Sequence, residues 1–373
     1  MFEFTNVRHG ALLNCCSGRE SAEGLEFTVC GLCDMPGKLT VNGLPAVRRD
    51  LEFSCTIMLT GTFPQIKAEI SGEFGIISRE IKVVYDRNSF KRYDFYIDDH
   101  SFLFVDLAKE RPASLFDHFY LKFLKQLHDR YGFKVTLNSF YRSGHEDFIL
   151  PQCPDIWKGE WEDNADWLRL SFHAYSEFPD RPYQDASAEK LAADYDLVRD
   201  ELVRIAGEKT FIVPEGIHWG MVRPEAFSAL KARGVKMLSG DFILPSAACA
   251  AGSYCDVGYG IERPTASYLG THAAWFDFAN KIMFCACDCT CNSEKLEEIP
   301  EGIKARVLPR TEQIMSLSSH EQYSFPRYFN YQPDHLAKLE AAVKTAVELD
   351  YKPVFFCDGL LGNTATADFP DCI

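Results

Sequence analysis

The sequence predicts an α/β protein: a (β/α) barrel preceded by a small antiparallel β-sandwich. Residues 1 to about 90 carry short alternating apolar runs broken by Gly, Pro and Asn-Gly, with no helical period. From Tyr93 the pattern changes to strand followed by helix, repeated six or seven times, which implies parallel strands. The 373 residues suffice for two domains, expected at 1–90 and 91–373.

In the first unit the runs are Leu25-Glu-Phe-Thr-Val-Cys30, Lys38-Leu-Thr-Val41, Glu52-Phe-Ser-Cys-Thr-Ile-Met58 and Ile81-Lys-Val-Val-Tyr85. Asn42-Gly43 predicts a two-residue hairpin turn, since both residues tolerate the positive φ of a type I′ turn. In the second unit Tyr93–Ile97 reads as a strand, and Phe116, Phe119, Phe123, Leu127 and Tyr131 recur at helical spacing before Gly132. Strands follow at Phe133–Leu137 and Trp167–Phe172, then a helix from about Ala188 to Ala206. Phe211–Val213 precedes a helix begun by Pro224 and ended by Gly234, which leads into Val235–Leu238. Ile314–Leu317, a helix near 334–349 and Pro353–Phe356 complete the series. An open doubly wound sheet would satisfy the same alternation. The barrel is preferred because no Gly-rich dinucleotide or phosphate-binding signature follows any strand.

Hydrophobic residues make up 46% and charged residues 25%, which is ordinary globular usage. With 39 Lys and Arg against 54 Asp and Glu the net charge is −15, so phosphate backbones are repelled and nucleic acid is not an expected partner. No apolar run is long enough to span a bilayer, and the first residues lack a basic segment followed by an apolar one, so the expected location is cytoplasmic. The 14 cysteines therefore read as reduced thiols. Cys15, Cys16, Cys30 and Cys33 form a weak candidate zinc set. Cys285, Cys287, Cys289 and Cys291 alternate as one face of a strand and read as small apolar packing.

In parallel α/β architectures chemistry gathers at the C-terminal ends of the strands. Here those ends are polar: Asp98-Asp99-His100, His173-Ala-Tyr-Ser-Glu177, Glu215-Gly-Ile-His218-Trp219, Asp288 and His320-Glu321. Adjacent Asp98 and Asp99 point to opposite faces of a regular strand, so both reach one site only where the strand gives out. Two such carboxylates suit a division of labour in which one ligates a cation and the other takes a proton from bound water. His173 and Glu177, four apart, fall on one side of a helical turn and would complete the site, with Asp180 a substitute for Glu177. An aromatic beside a polar group, as in His218-Trp219, is a common grip on a sugar face. His100, Tyr175 and Tyr323 have only proximity in their favour.

At Tyr96-Ile-Asp98-Asp99, Ser171-Phe-His173 and Leu317-Ser-Ser-His320 the chain resembles the polysaccharide deacetylase (NodB-homology) family over roughly residues 91–373. The resemblance implies a deformed, TIM-like barrel of seven or eight (β/α) units, a Zn²⁺ or similar divalent ion, Asp98 as catalytic base, Asp99 and His173 as metal ligands, and His320 as the acid for the leaving group. The family has a second histidine four residues after the first. This chain has Glu177 there, a harder ligand that shifts preference toward Mn, Fe or Co. The family's Arg after the fourth strand is absent, and Glu215 or His218 stands near that place.

The expectation is a metal-dependent hydrolase that deacetylates an N-acetylated sugar or polysaccharide. Asp98 and His320 are its catalytic groups, and Asp99, His173 and Glu177 its ligands. Glu215, His218, Trp219, Asp288 and Glu321 fall to the carbohydrate substrate. The alternatives are a glycoside hydrolase using Asp98 and Glu215 without metal, and an inactive carbohydrate-binding protein.

Overall fold

The computed structural model describes residues 1–73, 75–242 and 258–366. Two antiparallel sheets come first. One orders β1 (Phe2–Phe4), β2 (Leu25–Cys33) and β4 (Glu52–Leu59), with short strands Arg19–Glu20 and Val47–Arg49 at its margins. The other orders β6 (Gly75–Lys82), β5 (Gln65–Gly72) and β3 (Lys38–Val41), with Leu44–Pro45 at its edge. Alternation along β2, β4 and β5 sends Phe27, Val29, Ile57, Ile66 and Ala68 into one apolar cluster between the sheets. Asn42 and Gly43 have φ of 47° and 79° and join Val41 to Leu44 as a hairpin turn. The sequence reading missed β5 and most of β6.

The second region centres on β7 (Arg92–His100), which pairs in parallel with β8 (Val135–Arg142) on one side and β13 (Ile314–His320) on the other. β9 (Leu168–Ser176) extends the sheet beyond β8, while Cys289–Thr290 pairs with β13 and Lys352–Pro353 with β7. Nearly continuous burial along β7, β8 and β13 reflects cover on both faces. A separate three-stranded sheet holds β10 (Met237–Gly240), β11 (Ala274–Asp277) and β12 (Ile282–Ala286), with β11 antiparallel.

Among the described residues no ladder joins the two sheets, and the segments between their strands tie to each by isolated contacts. Leu170 bridges Phe211, Ser239 N–H donates to Glu215 O, and Asp288 N–H donates to Ser316 O at 2.7 Å. Phe211–Val213 is thus reduced to one bridge, because Pro214 lacks the N–H a ladder needs.

Among the described residues, eight α-helices pack against these strands: α1 (Phe102–Glu110), α2 (Phe119–Tyr131), α3 (Lys158–Asp163), α4 (Ala188–Ala206), α5 (Phe227–Lys231), α6 (Arg263–Leu269), α7 (Ile299–Val307) and α8 (His335–Glu348). Helix α4 begins at Ser187, whose hydroxyl accepts from Lys190 N–H. The four cysteines from 285 to 291 do not share one strand. The strand stops at Ala286, Cys285 packs with Met283 and Phe276, and Cys289 and Cys291 enter the larger core instead.

The regions are joined by a buried polar knot. Arg92, at the start of β7, donates to Asp86 at 2.9 Å and to Leu361 O at 2.6 Å, while Asn363 donates to the other Asp86 oxygen at 2.8 Å. Both charged side chains are fully buried, so removing one partner leaves the other charge uncompensated. Asp86→Ala is expected to destabilise the fold by about 3–5 kcal/mol, read from the urea-unfolding midpoint; a shift under about 1 kcal/mol would show that the knot is not structural.

Candidate metal centre

Strand β7 reaches the site through a local break. Its pairing with β8 shifts register between Ile97 and His100, and Asp99 adopts φ +67°, a left-handed conformation rare for a residue with a side chain. The strand does not give out, as the sequence reading required. It bulges, and both Asp98 and Asp99 line the same cleft of about 730 Å³. His100 lies outside that lining. Its Nδ1 meets Ile97 O and its Nε2 meets Tyr120 OH, and burial drives its pKa down to about 3.

Asp99, His173 and His218 form the candidate ligand set, and among the described residues no other His, Cys, Asp or Glu group is close enough to share an ion. The edges are short and even. His173 Nε2 lies 3.1 Å from Asp99 Oδ1, His218 Nδ1 lies 3.3 Å from the same oxygen, and the two nitrogens are 3.1 Å apart. Tetrahedral arms of about 2.0–2.1 Å would give edges of about 3.3 Å. Cys15, Cys16, Cys30 and Cys33 are not gathered into such a set.

The hydrogen bonds behind the triangle decide what its corners carry. His218 Nε2 lies 3.3 Å from the acceptor Glu177 O, so it holds the proton and leaves Nδ1 bare. His173 Nδ1 faces Asp98 Oδ1 at 3.5 Å, which favours the proton there and a bare Nε2. Asp99 Oδ2 accepts from Gln322 Nε2 at 2.8 Å, while the buried Oδ1 has no hydrogen-bond partner. Three lone pairs therefore converge and need positive charge among them, which is the fit expected of a cation site. Burial alone would raise Asp99, but His320, His173 and His218 outweigh it and hold its pKa well below the usual carboxylate range. Burial likewise opposes charge on His173, yet Asp98 and Asp99 leave its pKa raised.

Asp98 and His320 are register partners on β7 and β13, which sets them side by side at the cleft. Asn138 Nδ2 holds Asp98 Oδ1 at 2.7 Å. Asn292 Oδ1 accepts from His320 N–H at 3.1 Å and faces His320 Nδ1 at 2.9 Å, so Nδ1 is protonated and Nε2 is the nitrogen free to exchange a proton. Trp219, 43% exposed, lines the cleft beside His218, as do Glu177 and Asp180. No Lys or Arg appears among the described lining residues, which leaves the site receptive to cations.

Four expectations change. Glu177 does not join the triangle: its carboxylate lies 2.6 Å from His145 Nε2, and His218, which opens a short 3₁₀ turn, takes the third corner. Glu321 is fully buried and spends its oxygens on the N–H groups of Ser101, Phe102 and Leu103 at 2.7–2.9 Å, compensating the first turn of α1. Asp288 is buried against Arg310 and accepts from Ser316 N–H at 3.1 Å. Glu215 is buried and accepts from Phe356 N–H at 3.2 Å. None of the last three lines the cleft. The sequence reading missed Asn138, Gln322, Asn292 and His145. The first three were detectable only as polar residues in or after apolar runs.

Burial pushes the Glu215 carboxyl up to about 7 from 4.5, beside an Asp94 also raised by burial and by Glu215 itself. The folded state therefore holds a proton that the unfolded chain releases near pH 4.5. That contribution is complete below 4.5 and is lost as pH rises through about 7. The wild-type urea midpoint should fall between pH 5 and 8 more steeply than that of Glu215→Gln; parallel profiles would show that Glu215 folds ionised.

No protein-family description matches this chain, and no curated protein does. A solved Bacteroides fragilis structure, named provisionally as an alpha-galactosidase, is similar at 12% identity and a TM-score of 0.29, over 96% of this chain and 79% of that one. A likeness that slight carries neither fold family nor activity, so the function rests on the chemistry of the site.

Proposed function

We propose that this chain is a metal-dependent hydrolase that removes the acetyl group from an N-acetylated sugar, with its strands acting as one deformed (β/α) barrel. The observation that carries the reading is the triangle of Asp99, His173 and His218, three mutually facing lone pairs at the floor of an acidic cleft. One carboxylate and two imidazoles suit Zn²⁺, and also Fe²⁺, Mn²⁺ or Co²⁺. When bound, such an ion supplies Lewis acidity and brings the pKa of a water toward neutrality.

The chain's own residues divide the proton work. Asp98, fixed through one oxygen by Asn138, is the base that accepts the proton of the attacking water. His320, with Nδ1 committed to Asn292, delivers a proton from Nε2 to the departing amine. Their adjacency on β7 and β13 lets one act on the nucleophile and the other on the leaving group of a single bound amide. The glycosidase alternative finds less support, since Glu215 is enclosed by Asp94 and Phe356 and stands away from the cleft lining.

Elemental analysis of protein purified without chelator, joined to acetate release from N-acetylated sugars, tests the reading. About one equivalent of metal is expected, and His218→Ala should lose it. Asp98→Asn and His320→Ala should keep metal and lose roughly 10²–10⁴-fold in rate. The His320→Ala loss should shrink on activated acetyl esters, whose leaving groups need less protonation. Protein without metal, or acetate release untouched in Asp98→Asn, would overturn the proposal.

A further inference from the structure

Beside the cleft, the chain builds an aromatic platform that the hydrolytic machinery does not use. Phe178, 53% exposed, follows β9, and Phe329, 77% exposed, follows β13. His145, from the segment after β8, lies between them, with ring centroids 6.0 Å from Phe178, 6.2 Å from Phe329 and 5.4 Å from Tyr328. Tyr328 and Phe329 are 4.5 Å apart. Rings from three separate segments thus make one apolar surface, and large exposed aromatics held in a patch mark a binding site more often than chance packing.

A polar pair is set into that surface. Glu177 Oε2 lies 2.6 Å from His145 Nε2, with the side chains 16% and 19% exposed. The pair also links two hollows. Glu177 and Tyr328 line the main cleft, while His145 and Phe178 line an adjoining one of about 470 Å³. Ring faces grip the C–H faces of a pyranose, and a fixed carboxylate accepts from its hydroxyls. A flat apolar partner protein would instead strip water from the His145–Glu177 pair and offer no polar group in its place.

We infer that Phe178, His145, Glu177 and Phe329 form a second sugar subsite continuous with the cleft, which makes the preferred ligand an oligosaccharide and not a single sugar. The inference rests on the carbohydrate reading above, and takes Glu177 as a sugar contact.

Calorimetric binding of N-acetylglucosamine and of its β-1,4-linked hexamer tests it, with acetate release measured separately. The hexamer should bind at least about tenfold more tightly than the monosaccharide. Phe178→Ala combined with Phe329→Ala should remove about tenfold of hexamer affinity, equivalent to about 1.4 kcal/mol, while shifting the monosaccharide by less than about twofold. Both side chains are exposed, so the double variant should fold; an unchanged circular dichroism spectrum verifies that. Glu177→Gln should weaken the hexamer as well. Equal affinities for the two sugars, or a double variant that keeps the hexamer's advantage, would overturn the subsite. Length-dependent binding without acetate release would leave the subsite standing and sink the deacetylase reading. Acetate release without length dependence would do the reverse.

Discussion

The site hangs on one backbone conformation. Asp99 sits at φ +67° near the end of a buried strand, at a cost of about 1–2 kcal/mol for a residue with a Cβ. Without it, pleating would send Asp98 and Asp99 to opposite faces and only one carboxylate would reach the cleft. The bulge is confined to the β8 side of β7, while pairing with β13 runs in register from Arg92 to Asp98. This asymmetry lets Asp99 turn toward His173 and His218 without disturbing the alignment of Asp98 with His320.

Neutral amides do most of the positioning. Asn138 holds Asp98, Gln322 holds one oxygen of Asp99, and Asn292 fixes the tautomer of His320. An amide orients a charged side chain without adding charge of its own, so the acidic character of the cleft survives. Lys or Arg in those places would offset the carboxylates that are to meet a cation. Each amide also engages one side-chain atom of its partner and leaves another free for chemistry.

The carboxylates away from the cleft do a different job with the same functional group. Glu321 answers three N–H groups at the start of α1, Asp288 answers Arg310 and the β13 backbone, and Glu215 reaches the N–H of Phe356. All three stand at or just after strand ends, where catalytic acids also stand. These interactions hold together connections that strand ladders leave to single hydrogen bonds.

The sequence alone determined much of the local structure, because local structure depends on near neighbours. Alternation marked the N-terminal strands, Asn42-Gly43 marked a hairpin, and the apolar period marked α4 and α8 almost to the residue. It also marked Asp98, Asp99, His173, His218 and His320 as strand-end candidates, all of which meet at one cleft. Only the tertiary structure decided which of them share a corner. Glu177, four residues from His173, turns to His145 instead, while the folded chain sets His218 against His173, a contact 45 residues apart that no helical spacing encodes. The roles of Glu321, Glu215 and Asp288 were likewise settled by which backbone N–H groups the folded chain sets within about 3 Å of each carboxylate. Sequence proximity says nothing of that distance.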